Sequence, residues 1–486
     1  MKLLRCSLLG LAGILAGSFL ATGAEETKKL AIAHVAIVDT ASGEVRADQT
    51  VEIAGGKIVK VFPASAYRPE AGTRIIEARG KYLIPGLWDM HVHIAGISAD
   101  PKWSRDALLP LLTAMGVTGV RDMGGDLSVL QGWRREIESG KLIGPHIVAG
   151  GPMLVSGGKK TPEQIPIKNA EEAREAVRNL KLAGADFVKI IDLPSRDAFF
   201  AVADEAKRQN LPFVGHVPPV VTASEASDAG MRSIEHVVYS NLEMDCSAKE
   251  DELRAAERAA RATHEEGASA RLLQEAMASY DPQKAAALWQ RFRRNGTWLV
   301  PTLVSIETLS RHNLVPETQA NDPRLEYVPD SLRKEWDPRM PENKYSEGEQ
   351  RWWAQQYIND RKMTAAMQKG GVALLAGSDS LDRYVFPGFA LHRELELLTE
   401  AGMTPLEALR AATIDAAKFL GREGEFGVVA NGARADLVLL DENPLANISN
   451  TTKTFAVIRE GVYLDRAALD RMLTQARESA KAASPR

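Results

Sequence analysis

Cysteine is scarce. The 486 residues contain two, Cys6 and Cys246. Cys6 stands before the apolar run of the N-terminus, so it is not placed to become a lipid-modified mature end. Cys246 alone cannot form an internal disulfide, and no neighbour in sequence marks it as a nucleophile. Excess positive charge is also missing: the formal net charge is -4, and nothing suggests a nucleic-acid partner. Long apolar runs are absent after the first 24 residues. The run from Leu8 to Ala21 is too short for a comfortable membrane span. No internal repeat is evident beyond an alternation of strands and helices. With 45% hydrophobic and 26% charged residues, the composition is that of a soluble globular protein of one large or two medium domains.

The N-terminus has the layout of a secretory signal: Lys2 and Arg5, the apolar run, then Thr22-Gly23-Ala24 before Glu25. The expectation is a signal peptide over 1–24 and export to the periplasm or beyond. No membrane attachment is expected after cleavage; an uncleaved anchor is the alternative.

Both ends of the remaining chain look β-rich. Ile32–Val38, Thr50–Ala54 and Lys57–Val61 alternate polar and apolar residues between turn signals at Ser42-Gly43 and Gly55-Gly56. Ala435–Leu440, Ala456–Arg459 and Gly461–Tyr463 repeat the style. The middle instead alternates short apolar strands with helical patterns. Eight candidate strands are Leu87–Ile94, Val117–Met123, Ile147–Gly150, Phe187–Ile191, Phe213–Val217, Ser233–Val237, Trp298–Leu303 and Ala373–Gly377. Helical patterns include Ala170–Ala183, Arg196–Gln209 and Pro405–Ala412. The expected α/β architecture is a (β/α)8 TIM barrel over 85–415. A small β-sandwich would be built from both ends, 25–84 and 416–486, the latter closing with a helix. Insertions near 245–295 and 309–367 would lie over the strand tops, as a lid, a partner surface or a solvated helical pair.

His91 and His93 end the first candidate strand. Residues i and i+2 of a strand share a face, so both imidazoles can meet one metal ion; hydrogen bonding could satisfy them equally. Lys189 is set in an apolar strand, where an unpaired ammonium is costly. It snorkels to the strand end or is modified, for example to an anionic carbamate. His216, His236 and Asp379 each close a later strand. Taken singly, the histidines read as core residues and Asp379 as a helix cap.

Taken together, this pattern resembles the metal-dependent amidohydrolase superfamily: HxH on strand one, Lys on four, His on five and six, Asp on eight. Gly402-Met403-Thr404-Pro405, Ala435-Asp436-Leu437-Val438-Leu439 and Asn443-Pro444-Leu445 strengthen it. Pro387-Gly388 with Leu391-His392-Arg393-Glu394-Leu395 fits the imidazolonepropionase-like group that includes Xaa-Pro dipeptidase-type enzymes. The resemblance implies a binuclear centre of two divalent ions. His91, His93 and Asp379 would hold one, His216 and His236 the other, with carbamylated Lys189 as bridge. Zinc suits these ligands, with manganese, cobalt and iron left open. Asp379 would carry the proton. Tyr239 would offer its hydroxyl to a substrate carbonyl or simply pack.

Members that cleave dipeptides carry a Gly-Gly-His-Gly stretch after strand three; here Ser156-Gly157-Gly158-Lys159-Lys160 stands instead, and His146 is no obvious replacement. The expected reaction is therefore hydrolysis of a C–N bond in a small substrate, a dipeptide or N-acyl amino acid, without Xaa-Pro preference. A cyclic amide or lactone hydrolase on the same centre is the alternative, and a non-catalytic metal-bearing protein the remote one. A homo-oligomer is left open. Of the remaining residues, Arg121 and Asp122 read as an ion pair or as substrate contacts. His34 reads as structural, His264 and His312 as exposed, and His392 as support for the site or plain helix packing.

Overall fold

The computed structural model describes residues 29–96, 100–263, 265, 267–315 and 322–483. The expected signal peptide and His264 lie outside them. Among the described residues the strands, in chain order, are β1 Leu30–Val38, β2 Val45–Ala54, β3 Lys57–Pro63, β4 Arg74–Glu77, β5 Tyr82–Pro85, β6 Leu87–Val92, β7 Val117–Asp122, β8 His146–Ala149, β9 Met153–Val155, β10 Gln164–Pro166, β11 Val188–Ile190, β12 Phe213–Gly215, β13 Ser233–Glu235, β14 Trp298–Val300, β15 Leu437–Leu440, β16 Thr454–Arg459 and β17 Val462–Leu464.

Strands from the two chain ends form one continuous ladder ordered β17-β16-β15-β5-β1-β2-β3, with β4 on β1. Alternation along its strands sends Ile37, Val51, Leu437 and Ile458 into a shared apolar core. The middle strands are all parallel. They run as β6-β7-β8 and as β10-β9-β11-β12-β13-β14. The near-continuous apolar runs of β11, β12 and β14 are fully buried, as parallel strands covered by helices must be. Strands β9 and β10 were not among the eight candidate strands.

Further hydrogen bonds link these arcs. The Asp186 amide donates to the Ala149 carbonyl at 2.8 Å. The segment expected as the last strand, 373–377, makes bridges rather than a regular ladder. Leu374 pairs with Leu299 of β14, and Ser380 with Val92 of β6. The Met90 amide donates to Ala376 at 2.9 Å and the Asp379 amide to His91 at 2.7 Å. Gly377 permits this approach: a Cβ there would stand 2.7 Å from the His91 Cβ. Trp88 and Met90 pack in an apolar cluster with Met123, Phe187, Val214 and Trp298, leaving Asp89, His91 and His93 as the polar side of β6.

The expected insertions are largely helical: Glu250–Thr263, Ala268–Ala278 and Pro282–Asn295 in the first, and Asp330–Trp336 and Glu347–Lys369 in the second. The C-terminal helix is Arg466–Ala482. His312 is buried, not exposed; its Nε2 bonds to the Asn343 carbonyl at 2.8 Å, tying the second insertion together. His34 pairs with Asp48 at 2.6 Å where β1 bulges against β2.

Asp436 clamps the terminal sheet to β8. Its carboxylate lies 2.8 Å from His146 Nε2 and accepts from Arg459 Nη1 at 3.0 Å and the Glu460 amide at 2.8 Å. Burial alone would raise its pKa, but these partners outweigh burial and bring it to about 2. The depressed value means that its contribution to stability is present above the unfolded pKa of 3.8 and lost as pH falls from about 4 to about 2. Asp436→Ala leaves the buried Arg459 with only Glu460, 3.3 Å away, and should cost about 1.5–3 kcal/mol at neutral pH. Urea unfolding checks this; a loss below about 1 kcal/mol would contradict the clamp.

Candidate active site at the strand ends

Six side chains singled out from the sequence lie at the carboxyl ends of the parallel strands or in the 373–380 segment. His91, Lys189, His236 and Asp379 are buried, while His93 and His216 are half-buried. His236 and Asp379 have positive φ, 60° and 61°, a strained state for residues with a Cβ that is common at functional sites. Gly215, with φ of 131°, lets the chain turn into His216; a Cβ there would lie 2.0 Å from the Ile190 carbonyl oxygen.

The hydrogen bonds define which nitrogen of each ring carries its proton. His91 Nδ1 lies 2.9 Å from Glu235 Oε2. Burial would raise the Glu235 pKa, but Arg121 and His91 hold it well below the usual range, so the carboxylate accepts. His93 Nδ1 lies 3.2 Å from the Gly124 carbonyl oxygen, which can only accept. His236 Nδ1 lies 2.5 Å from Thr302 Oγ1, whose own proton goes to the Pro301 carbonyl at 2.8 Å, so it too accepts. In neutral His91 and His236 each Nε2 is then left with a lone pair, whereas Asp379 favours a proton on His93 Nε2.

Those lone pairs converge on a carboxylate. Asp379 Oδ1 lies 3.3 Å from both His91 Nε2 and His93 Nε2, and Oδ2 lies 3.8 Å from His236 Nε2. Ligand atoms of His91, His236 and Asp379 all fall within 4.8 Å of one another. Burial lowers the pKa of His91 to about 4 and of His236 to about 3. At neutral pH neither supplies a proton to the gap. Burial acts on His93 as well, but Asp379 outweighs it and raises its pKa. Asp379 itself is held well below its ordinary value: burial opposes ionisation, and the surrounding histidines override it. Acceptors facing an anion at this distance repel unless a cation lies between them. His91 Nε2 and Lys189 Nζ are also buried without a hydrogen-bond partner among the described residues. The donor set therefore fits a metal ion.

His216 joins through ring contacts, its centroid 5.1 Å from that of His236. Lys189 is 1% exposed, and burial brings its amine down to about 8 despite the attraction of Glu235 and Asp379. Tyr239 stacks on His216 at 5.3 Å and is 39% exposed, at the mouth of the site. Beyond it opens a cavity of about 530 Å³ walled by Tyr345, Trp352, Trp353 and Arg383. Part of the second insertion thus borders the site.

Supporting residues were read less well from sequence. Arg121 does not pair with Asp122; neighbours on a strand point to opposite faces. Instead Arg121 is fully buried, donates to Glu235 at 2.8 Å and to the Met90 carbonyl at 2.6 Å, and so anchors the carboxylate that orients His91. Asp122 accepts from the Ile94 amide at 2.8 Å. Asp89 accepts from Ser378 at its amide, 2.9 Å, and its hydroxyl, 2.6 Å, binding β6 to the Asp379 segment. A charged residue inside an apolar strand was the available signal for Asp89 and Glu235. Thr302 carried none. His392 lies between Thr451 and the Met115 carbonyl, each 2.9 Å away, and packs its helix rather than the site.

The fold and the convergent donors are those of a hydrolase with a place for metal. Residues 82–461 match the model of the amidohydrolase family, and the chain belongs to that family. It is accordingly a hydrolase acting on carbon–nitrogen bonds. Ochratoxinase of Aspergillus niger is 24% identical over 481 residues, covering 86% of this chain and 83% of its own. Among solved structures, bottromycin amidohydrolase superposes with a TM-score of 0.71 at 24% identity, covering 93% of this chain and 91% of its own. A Xaa-Pro dipeptidase with methionine bound in its active site gives 0.65 at 21% identity, covering 90% and 100%.

Thr302→Val removes the acceptor that orients His236 while keeping its shape. It should weaken metal retention against a chelator by about 10- to 100-fold. Unchanged retention would mean that the Thr302 contact does not set the ring.

Proposed function

We propose that this chain is an exported hydrolase of small amides, built as a (β/α)8 barrel with two divalent metal ions at its strand ends. In this reading the two parallel sheets are arcs of one barrel, joined through Asp186–Ala149 and through the 373–380 segment. The terminal ladder, folded around Ile37, Val51, Leu437 and Ile458, is its β-sandwich. The observation that carries the catalytic reading is the convergence of the His91 and His236 lone pairs on ionised Asp379, with His93 3.3 Å from the same carboxylate.

His91, His93 and Asp379 are assigned to one ion, His216 and His236 to the other, and carbamylated Lys189 to the bridge. Zinc suits this imidazole and carboxylate set. When bound, the ions supply Lewis acidity and a water that ionises near neutral pH. The neutral Lys189 amine adds to CO2 and loses one proton, leaving an anion; burial favours that neutral form. Asp379 takes the proton of the attacking water and delivers it to the leaving nitrogen. Tyr239 donates its hydroxyl to the substrate carbonyl.

The substrate is a dipeptide or N-acyl amino acid. The names of the ochratoxinase relative and the Xaa-Pro dipeptidase neighbour support a small amide. Lys159 and Lys160, exposed where dipeptide-cleaving members carry histidine, argue against Xaa-Pro preference. Cleavage of the signal should start the mature chain near Glu25, which N-terminal sequencing of the exported protein checks.

Elemental analysis of the mature protein should find about two divalent ions per chain. His91→Ala should lose metal and activity together, whereas Asp379→Asn should keep metal better than rate. Lys189→Ala should be nearly inactive and partly rescued by short carboxylic acids standing in for the bridge. Full activity in a metal-free preparation would overturn the reading.

A further inference from the structure

The cavity beyond Tyr239 holds an arginine that no carboxylate among the described residues reaches within ion-pair distance. Arg383 lines it, four residues past Asp379. Nearby arginines are neutralised: Arg324 by Asp322 at 2.6 Å, Arg339 by Asp337 at 2.6 Å, and Arg393 by Glu307 at 2.9 Å. Arg383 makes no ion pair among the described residues. Its contacts are to Tyr345, with Nη1 3.4 Å from the hydroxyl and the guanidinium 5.7 Å above the ring.

Of the cavity's own carboxylates, Asp382 attracts the Arg383 guanidinium at longer range, but the hydrogen bonds of both go to other donors. Asp382 accepts the backbone amide of Arg383 at 2.7 Å and the Ser305 hydroxyl at 2.8 Å. Glu349 accepts the Ser346 amide at 2.7 Å as part of a helix cap. The turn that sets this arrangement is strained: Asp379, Leu381 and Tyr384 have φ of 61°, 93° and 59°. It is pinned by the Asp382 amide on the Asp379 carbonyl and the Val385 amide on the Asp382 carbonyl, both 3.0 Å. A backbone held at such cost fixes where Arg383 stands relative to Asp379.

The walls around the guanidinium are aromatic. Tyr239 and Trp353 meet edge to face at 6.2 Å, and Trp353 meets Trp352 at 4.4 Å. The Trp352 indole N–H is buried without a hydrogen-bond partner among the described residues. A planar, permanently charged fork beside apolar rings suits one kind of ligand: a carboxylate carried by a flat or apolar body.

We propose that Arg383 anchors the free α-carboxylate of the amino acid released by hydrolysis. The aromatic walls would receive that residue's side chain, so the substrates are N-acyl derivatives of aromatic or large apolar amino acids with an unblocked carboxyl end. This rests on the C–N hydrolase reading above and narrows it: internal amides and blocked ends are excluded by charge, not by size.

The test compares N-benzoyl-L-phenylalanine with its carboxamide in the metal-loaded wild type, Arg383→Lys and Arg383→Ala. The wild type should favour the acid by about 10- to 100-fold in kcat/KM, the range expected of a charge-assisted bidentate bond. That preference should shrink in Arg383→Lys and collapse toward unity in Arg383→Ala, with KM for the acid carrying the change. Because the quantity read is a ratio within each variant, loss of folded protein does not mimic it. A wild type that cleaves the carboxamide as well as the acid would overturn the anchor and leave the hydrolase reading standing. So would an Arg383→Ala enzyme that keeps the wild-type preference. If the loaded wild type cleaves neither compound nor any dipeptide, the C–N hydrolase reading of the site fails and the anchor with it.

Discussion

The carboxylate of Asp379 is the constraint on which the site depends. Two imidazoles, His91 and His236, are too deeply buried to protonate at neutral pH and turn lone pairs toward it, with His93 beside them 3.3 Å from the same carboxylate. Such an arrangement is repulsive unless positive charge sits within it. Charge in a gap enclosed by buried side chains interacts far more strongly than in water, so the same geometry that is costly when empty binds a cation tightly once filled.

The surrounding protein holds that repulsive geometry in place. Arg121 fixes Glu235, Glu235 fixes His91, and the chain of contacts is buried throughout. Thr302 and the Gly124 carbonyl do the same for His236 and His93. Asp89 and Ser378 bind the segment bearing Asp379 to the strand bearing both first histidines. The positive φ of His236, Thr302 and Asp379 is the backbone counterpart, strain borne locally and offset by burial elsewhere.

The donors were legible in the sequence because strand periodicity is local. His91 and His93 share a face whatever the rest of the fold does, and His216, His236 and Asp379 each close a recognisable apolar run. The joining of the two chain ends was legible from their alternation. Partners brought together across the chain were not. Arg121 was read against its neighbour Asp122, yet its carboxylate lies 114 residues away. His312 looked exposed because its contact, Asn343, lies in the same proline-rich stretch, whose folding no local pattern announces. Arg383 was passed over because an arginine after a strand is ordinary; only the engagement of Asp382 and Glu349 by other donors shows that it is left without a carboxylate.

Access follows from the same geometry. The least buried donors are His93 and His216; Tyr239, stacked on His216, leads to the aromatic cavity, where the second insertion supplies Trp352 and Trp353. The most direct test of the central claim is X-ray absorption at the edge of the metal bound to the purified protein. The account predicts a nitrogen and oxygen shell with imidazole scattering and a metal–metal path at about 3.5–4 Å. A shell without imidazole, or a protein that binds no divalent ion under loading, would contradict it.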